Sequence, residues 1–181
     1  VYGLAGTGLK PSVIERIYEV KGRPEVKPIS LMVPDRSLIS GLCAEVPEQA
    51  FFLAEAFWPG PLTLVMRARE EIPEVLRAGG ETVGLRCPRQ EQTLTLLKKL
   101  DFPLAVPSAN PSGEPSAKTA EQVLSWFDGV IEGVIDGGRC DLGIESTVLD
   151  LSATPYRVLR QGALKLDDIV EFVPDNDPNE K

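Results

Sequence analysis

The sequence predicts a single α/β domain built around a twisted, mixed sheet with flanking helices. Short apolar runs alternate along the chain with segments of helical period, which is the pattern of strands and helices packed in layers. The 181 residues are enough for one well-buried domain and too few for two full ones. The later strand candidates follow one another without an intervening helix, so we expect part of the sheet to be antiparallel.

The first part of the chain predicts two helices and two strands. A capping box over Ser12–Glu15, followed by apolar residues at helical spacing, predicts a helix that ends at Gly22. Ile29–Val33 is a short apolar run closed by a Pro-Asp pair, which is typical of a buried strand. Pro47–Phe57 places its apolar residues on one helical face, and Leu62–Met66 follows a Trp-Pro-Gly-Pro break as the next strand.

The same alternation continues through the rest of the chain. Strands are predicted at Thr82–Cys87, Pro103–Val106, Val130–Ile135, Thr147–Leu151 and Arg157–Leu159. Helices are predicted at Glu91–Leu100, Thr119–Phe127 and Lys165–Phe172. Residues 1–173 are therefore predicted to form the domain. The acidic segment 174–181 is predicted to be a disordered tail.

Composition excludes several kinds of chemistry. The chain has no histidine, which excludes nucleophiles activated by imidazole and imidazole zinc sites. Three cysteines without a Cys-x-x-Cys pair predict reduced thiols in a cytoplasmic protein. No apolar run approaches the roughly 18–20 residues of a membrane span, so no membrane partner is expected. The net charge of −8 predicts weak or no direct nucleic-acid binding, but it allows a small basic pocket for one nucleotide.

One apparent phosphate loop near the start of the chain is rejected. Gly3–Lys10 reads Gly-Leu-Ala-Gly-Thr-Gly-Leu-Lys, but a leucine separates the last glycine from the lysine. The predicted helix also begins too late for its first turn to hold a phosphate.

Two short motifs stand where α/β proteins bind ligands, and each also has an ordinary structural explanation. Lys21–Arg23 lies at the end of the first helix, where cations interact favourably with the helix dipole and can also converge on an anion. Ser108 and Asn110 directly follow a predicted strand, as ligand-binding residues often do. Serine and asparagine are equally common in turns, so composition does not separate the two explanations.

The same choice applies to three later positions. Arg86 lies within an otherwise apolar strand and must face solvent, an ion partner or a ligand. Glu145–Thr147 and Arg160 adjoin the last two predicted strands and leave the same alternatives open.

Seven motifs, taken together and in order, resemble one family. They are VYGLA from Val1, KGRP from Lys21, FWPGPLTL from Phe57, VGLRCP from Val83, PSANPSG from Pro107, IESTV from Ile144 and VLRQG from Val158. Each is weak alone, but their order and spacing from Val1 to Gly162 are similar to those of the YrdC-like threonylcarbamoyl-AMP synthases.

The resemblance implies a fold, an activity and partners. The fold is the YrdC-like (DHBP-synthase-like) fold with a concave, locally basic binding face. The activity is that of a nucleotidyltransferase that converts L-threonine, bicarbonate and ATP, with Mg²⁺ assisting, into threonylcarbamoyl-AMP and pyrophosphate. The product passes in the cytoplasm to a tRNA threonylcarbamoyl transferase complex, which forms N6-threonylcarbamoyladenosine.

The resemblance also implies roles for particular residues. Lys21, Arg23, Ser108 and Asn110 match the catalytic Lys-x-Arg and Ser-x-Asn motifs, which also bind ATP. Ser116 and Arg160 match further ATP-binding positions, and Arg86 and Ser146 match positions that hold threonine. A guanidinium suits the threonine carboxylate because it can bind it in a bidentate manner. No protein ligand to a metal is implied.

The chain also departs from the family pattern. Lys27 stands where many members have asparagine, Met32 where many have histidine, and Gln161 where proline is usual. No role is assigned to Lys27 or Met32. The family's threonine-rich strand before VYGLA is expected to be missing from this sequence.

Two alternatives belong to different classes of function. One is a non-catalytic module that binds a nucleotide or RNA in translation or ribosome maturation. The other is a different carbamoyl transfer, since the family domain also occurs in hydrogenase-maturation carbamoyltransferases. Retention of both Lys-x-Arg and Ser-x-Asn favours the synthase.

Overall fold

A computed structural model describes residues 1–24 and 26–173, and its strands form one seven-stranded mixed sheet. The strands are β1 (Gly6–Thr7), β2 (Leu31–Met32), β3 (Leu62–Arg67), β4 (Thr82–Arg86), β5 (Leu104–Ala105), β6 (Thr147–Asp150) and β7 (Arg157–Arg160). Their order across the sheet is β1-β5-β2-β4-β3-β6-β7. β2 pairs with β4 and β3 with β6 in parallel, and the other neighbours are antiparallel. The predicted α/β fold with a mixed sheet is confirmed, including the antiparallel pairing of the last two strands.

Helices flank this sheet. They are α1 (Pro11–Lys21), α2 (Ile39–Leu42), α3 (Glu48–Phe57), α4 (Glu74–Arg77), α5 (Glu91–Leu97), α6 (Ala120–Phe127) and α7 (Asp167–Val170), with a 3₁₀ turn at Arg36–Leu38. No helix among residues 1–24 and 26–173 is long and apolar enough to cross a membrane.

The first helix shows one correct and one wrong prediction. The capping box at Ser12–Glu15 is wrong, because α1 begins at Pro11 and its N-cap is Lys10, without a side-chain cap. Proline has a fixed φ suited to the first helical position, so the helix starts before Ser12. Its end at Gly22 is confirmed: this residue has φ 56° and ψ 36° and donates its N–H to the carbonyl of Glu19.

Apolar side chains on one face of the central strands form the core together with the helices. Leu64 of β3 and Leu85 of β4 are paired in register and fully buried. Ile14 and Ile17 of α1 and Leu53 of α3 belong to the same apolar cluster. Burial of each such side chain contributes about 1.5–3 kcal/mol relative to exposure.

Several predicted elements differ from those of the structure. The predicted strand Val130–Ile135 is wrong, because no residue of this segment lies in a strand. Its partly buried members Ile131 and Val134 pack against the core from an irregular loop, so its apolar character reflects anchoring of that loop.

Other predicted elements are shorter in the structure, and some observed elements were not predicted. The shorter ones are the strands predicted at Ile29–Val33 and Pro103–Val106 and the helices predicted at Glu91–Leu100 and Lys165–Phe172. The elements β1, α2 and α4 were not predicted. The predicted tail, residues 174–181, lies outside the described residues.

Candidate functional site

A polar layer lies on the sheet face opposite the core leucines. Side chains alternate across a strand, so Leu64 and Leu85 face the core while Thr63 and Arg86 face the other way. The Thr63 hydroxyl oxygen lies 2.8 Å from that of Ser146, which directly precedes β6, and both side chains are buried. β3 and β6 are parallel neighbours, and this pairing brings the two hydroxyls together.

The end of α1 brings a buried lysine to the loop after β5. Lys21 is only 2% exposed, and its Nζ donates hydrogen bonds to the backbone carbonyls of Ser108 and Asn110. In return, Ser112 donates its N–H to the carbonyl of Lys21 at 2.8 Å. The Lys-x-Arg and Ser-x-Asn motifs are therefore in direct contact.

Burial has an electrostatic consequence for this lysine. It is the main cause that lowers the pKa of Lys21 to about 8, and the nearby Arg23 lowers it further. Glu145 opposes both effects and raises the pKa of Lys21. The hydrogen bonds to the two carbonyls involve neutral acceptors, so Lys21 brings a positive charge that no carboxylate contact neutralises among the described residues.

Arg23 follows Gly22, whose backbone is in the left-handed conformation, and the Arg23 side chain turns back to contact residues 27 and 28. Its Nε donates to the carbonyl of Lys27 at 3.2 Å, and its Nη2 donates to that of Pro28 at 3.1 Å. Burial lowers the pKa of Arg23. Lys27, to which we assigned no role, thus contributes a backbone carbonyl while its side chain is exposed.

Asn110 holds its loop together and leaves one acceptor unused. Its Nδ2 donates to the carbonyls of Pro111 at 2.8 Å and Glu114 at 2.7 Å. Its Oδ1 is buried without a hydrogen-bond partner among the described residues. An unpaired buried acceptor costs about 1–3 kcal/mol, so this oxygen is suited to receive a hydrogen bond from a ligand.

A second polar group is centred on Glu145. Its Oε1 accepts the Ser116 hydroxyl at 2.7 Å, and its Oε2 forms an ion pair with Nη1 of Arg160 at 2.8 Å. Arg160 also donates from Nε and Nη2 to the carbonyl of Ser146 at 3.1 and 3.0 Å. Its Nη2 lies 3.2 Å from the Ser146 hydroxyl. The antiparallel pair β6–β7, with a register shift at Val148/Leu149, sets this arrangement.

Electrostatic interactions join the two groups into one site. Burial is the largest influence on the pKa of Arg86 and lowers it, and Arg160 lowers it further. Glu145 opposes burial and raises the pKa of Lys21, Arg23 and Arg86 alike. The structure therefore brings all eight predicted residues to one region. Lys21, Arg23, Arg86 and Arg160 supply its cations, Ser116, Ser146 and Asn110 supply polar side chains, and Ser108 supplies a carbonyl.

Sequence reasoning missed Thr63 and left the role of Glu145 open. Thr63 lies in the FWPGPLTL motif and carries the one hydroxyl within an apolar strand. This polar residue among apolar neighbours could have been predicted to belong to the site. Glu145 lies in IESTV, where the sequence left solvent, an ion partner or a ligand as alternatives. The structure shows an ion partner, Arg160, which the sequence alone did not identify.

The described residues also bear on whether the site has metal ligands of its own. Within the described part of the chain, no group of three or more His, Cys, Asp or Glu side chains could hold a metal ion. The carboxylate in the site, Glu145, is already engaged by Arg160 and Ser116.

Four cations, oriented hydroxyls and an unused amide acceptor gather beside a mixed α/β sheet, and this arrangement is typical of proteins that bind anionic small molecules. Residues 1–162 match the Sua5/YciO/YrdC family model, described as "Telomere recombination". The chain belongs to this family, as its motifs predicted.

Named relatives support the same grouping. The chain is 43% identical to threonylcarbamoyl-AMP synthase of Pyrococcus abyssi over 96% of its own length and 51% of the relative. It is 38% identical to the Bacillus subtilis protein of that name, over 93% of the chain and 49% of the relative. A Mycobacterium tuberculosis protein named putative threonylcarbamoyl-AMP synthase is 33% identical over 96% of the chain and 79% of the relative. The chain thus spans about half the length of the first two.

Solved structures share the fold. P. abyssi Sua5, solved in complex with L-threonine, superposes with a TM-score of 0.94 at 42% identity, covering 97% of this chain and 52% of that one. E. coli YciO superposes with a TM-score of 0.82 at 24% identity, covering 94% of this chain and 81% of that one. The latter likeness shows the fold alone.

Proposed function

We propose that this protein synthesises threonylcarbamoyl-AMP from L-threonine, bicarbonate and ATP and releases pyrophosphate. The observation that carries the proposal is the contact between the two motifs, in which buried Lys21 is held against the Ser108 and Asn110 carbonyls near Arg23. Two relatives named threonylcarbamoyl-AMP synthase, at 43% and 38% identity, support it.

The electrostatics of the site suit this reaction. The threonine amine and bicarbonate form a carbamate with loss of water. A carbamate oxygen then attacks the α-phosphorus of ATP, and pyrophosphate leaves with the electron pair of the broken P–O bond. Both partners are anions, so their repulsion is the main obstacle. Fixed cations in a partly dry site reduce it, and each such group contributes about 10²–10³ in rate.

We assign the residues by what each can supply. Lys21 and Arg23 bind the phosphates and stabilise the charge that develops on the departing pyrophosphate. Ser116 and Arg160 bind the nucleotide, and the unused Oδ1 of Asn110 accepts a hydrogen bond from a substrate. Ser108, through its carbonyl, holds the Lys21 ammonium in place.

Threonine is assigned to the polar face beside β4. Arg86 binds its carboxylate, and Ser146 donates a hydrogen bond to it. The Thr63 hydroxyl, 2.8 Å from that of Ser146, fixes the rotamer of this serine. Arginine at the carboxylate gives two parallel hydrogen bonds and therefore orients the amino acid as well as binding it.

Mg²⁺ belongs to the substrate in this proposal. Because the described residues hold no cluster of metal-ligating side chains, we infer that the ion arrives with ATP on its phosphate oxygens. We further propose that the reaction takes place in the cytoplasm and that a tRNA threonylcarbamoyl transferase complex consumes the product. The RNA-binding alternative is not favoured, because the relatives carry the synthase name.

The test is pyrophosphate release with and without each substrate. We expect release with L-threonine, bicarbonate and MgATP together, and loss of at least about tenfold when any one is omitted. Replacing threonine by carbamoyl phosphate should give no release above background. Release that does not depend on threonine would overturn the proposal, and so would an absence of release.

A matched pair of variants tests the assigned site. Lys21→Met should reduce turnover by about 100-fold or more. Lys99→Met removes the same charge from an exposed position and should leave turnover unchanged. Equal losses in both variants would contradict a specific role for Lys21.

A further inference from the structure

Glu145 is the one acidic side chain that the structure places among the cations of the site within residues 1–24 and 26–173, and the roles above leave it unassigned. Its two oxygens are taken by Ser116 at 2.7 Å and Arg160 at 2.8 Å. Both of these residues are proposed nucleotide ligands. The carboxylate therefore holds, in this structure, two groups that the nucleotide needs.

Orientation of Arg160 does not depend on this carboxylate. The guanidinium also donates twice to the Ser146 carbonyl, at 3.1 and 3.0 Å, and lies 3.2 Å from the Ser146 hydroxyl. All three contacts are made to Ser146 beside β6, and none of them involves the carboxylate of Glu145. A role limited to positioning Arg160 would therefore be largely redundant.

The negative charge of Glu145 is not redundant. It raises the pKa of Lys21, Arg23 and Arg86, and it also forms an ion pair with Arg160. Four like charges in one site repel one another, and a carboxylate among them offsets that repulsion. The same carboxylate repels an incoming triphosphate.

We propose that Glu145 is a resident counter-anion that occupies Arg160 and Ser116 in the empty site and yields them to the phosphates of an incoming nucleotide. The inference rests on the proposed function, because it takes ATP as the ligand of this site. Glu145 stabilises the cationic site before binding, and it competes with bound nucleotide or pyrophosphate, which favours release after turnover.

Glu145→Gln is the decisive variant. Glutamine has nearly the same shape and keeps an oxygen that can accept the Ser116 hydroxyl, but it has no charge. We expect ATP, titrated by calorimetry without threonine, to bind the variant about two- to fivefold more tightly, the upper part of the range for one partly exposed charge interaction. We also expect the ligand-free variant to melt at a lower temperature than the wild type. Saturating ATP should raise the melting temperature of the variant more than that of the wild type.

A matched control removes a charge elsewhere. Glu81 pairs with Arg67 at 2.6 Å, at the end of β3 remote from Thr63. Glu81→Gln should leave the dissociation constant for ATP unchanged. Glu145→Asp keeps the negative charge with a shorter side chain, and its affinity for ATP should stay within about twofold of the wild type.

The outcomes separate this inference from the proposed function. Unchanged or weaker ATP binding by Glu145→Gln, with threonine-dependent pyrophosphate release intact in the wild type, overturns the counter-anion role alone. If the glutamine variant does not fold, an affinity of Glu145→Asp more than about threefold from that of the wild type overturns it as well. A wild-type protein that neither binds ATP nor releases pyrophosphate overturns both proposals.

Discussion

Lys21 is a buried ammonium whose hydrogen bonds go to backbone carbonyls, and this environment determines how it responds to pH. Burial lowers its pKa from an ordinary value of 10.5 to about 8. The folded chain therefore loses this proton at a lower pH than the unfolded chain does. In the window from about pH 8 to 10.5 the unfolded state binds more protons, so the contribution of Lys21 to folding stability rises with pH there.

This pKa predicts coupling between nucleotide binding and proton uptake. Phosphate groups placed beside Lys21 favour its charged form and raise its pKa, so binding at pH 8 should take up as much as about half a proton. Titration calorimetry at pH 8 in two buffers of different ionisation enthalpy measures this quantity. The affinity for ATP should also fall between pH 7 and 9. Lys21→Met should lose the proton uptake, and a pH-independent affinity of the wild type would contradict the prediction.

Substitution of Arg86 should weaken the binding of threonine and leave the binding of ATP nearly unchanged. Lysine keeps the charge but not the planar fork that can bind a carboxylate at two points. Loss of a charge-assisted hydrogen bond costs about 1.5–3 kcal/mol, so Arg86→Lys should raise KM for threonine about 10- to 100-fold. KM for ATP should change by less than about threefold. The matched change at the exposed Arg89, Arg89→Lys, should alter neither value. A larger rise in KM for ATP than in KM for threonine would place Arg86 with the nucleotide instead, and equal rises would contradict a role confined to threonine.

At the scale of an element, the end of α1 positions both residues of the Lys-x-Arg motif. Gly22 between them has φ 56°, and a methyl group at this position would meet no atom within 4 Å. The penalty for Gly22→Ala is therefore confined to the backbone, at about 1 kcal/mol. Urea denaturation should show that loss, and ATP affinity should fall because Lys21 and Arg23 are displaced.

Gly41 offers the comparison for that substitution. It lies within α2 and also has open space for a methyl group. Gly41→Ala should leave stability unchanged or raise it by up to about 1 kcal/mol, since alanine favours helix. A loss at Gly41 equal to that at Gly22 would show that the left-handed conformation is not the cause.

Helices and strands could be predicted from the sequence where local residue patterns determine them. They could not be predicted where contacts with distant segments determine them. The strands over Leu62–Arg67 and Thr82–Arg86 follow from apolar runs bounded by Pro and Gly, which need no distant information. The two-residue strand Gly6–Thr7 exists because it pairs with β5, almost a hundred residues away in the sequence. Val130–Ile135 has strand-forming residues but packs as a loop, so its propensity was overridden by tertiary context.

At the scale of the whole molecule, the site is assembled from segments that only the fold brings together. The backbone of the loop after β5 receives a lysine from α1, and the hydroxyl of Ser116 bonds Glu145, 29 residues further along the chain. Spacing along the sequence carries no information on such contacts. The family resemblance supplied the eight candidate positions, but it gave neither the burial of Lys21 nor the central place of Glu145. Both depend on packing.

The net charge of the whole chain favours the proposed synthase over an RNA-binding module. The net charge is −8, and the four cations of the candidate site gather in one region beside the carboxylate of Glu145. Duplex RNA is bound largely by neutralising several phosphates along a surface, and a net negative charge opposes such binding. Filter binding of tRNA at about 0.15 M salt should therefore give a dissociation constant weaker than about 100 μM.

ATP binding under the same salt conditions serves as the internal reference for that measurement. The nucleotide engages a compact, partly buried group of cations, which salt screens less than it screens exposed charges. Raising the salt from about 0.05 to 0.2 M should weaken ATP binding by less than about tenfold. Micromolar, strongly salt-dependent tRNA binding without threonine-dependent pyrophosphate release would instead establish an RNA-binding role. The cations would then have to act together with other positive surface on the molecule, because four charges beside a carboxylate are too few for a duplex.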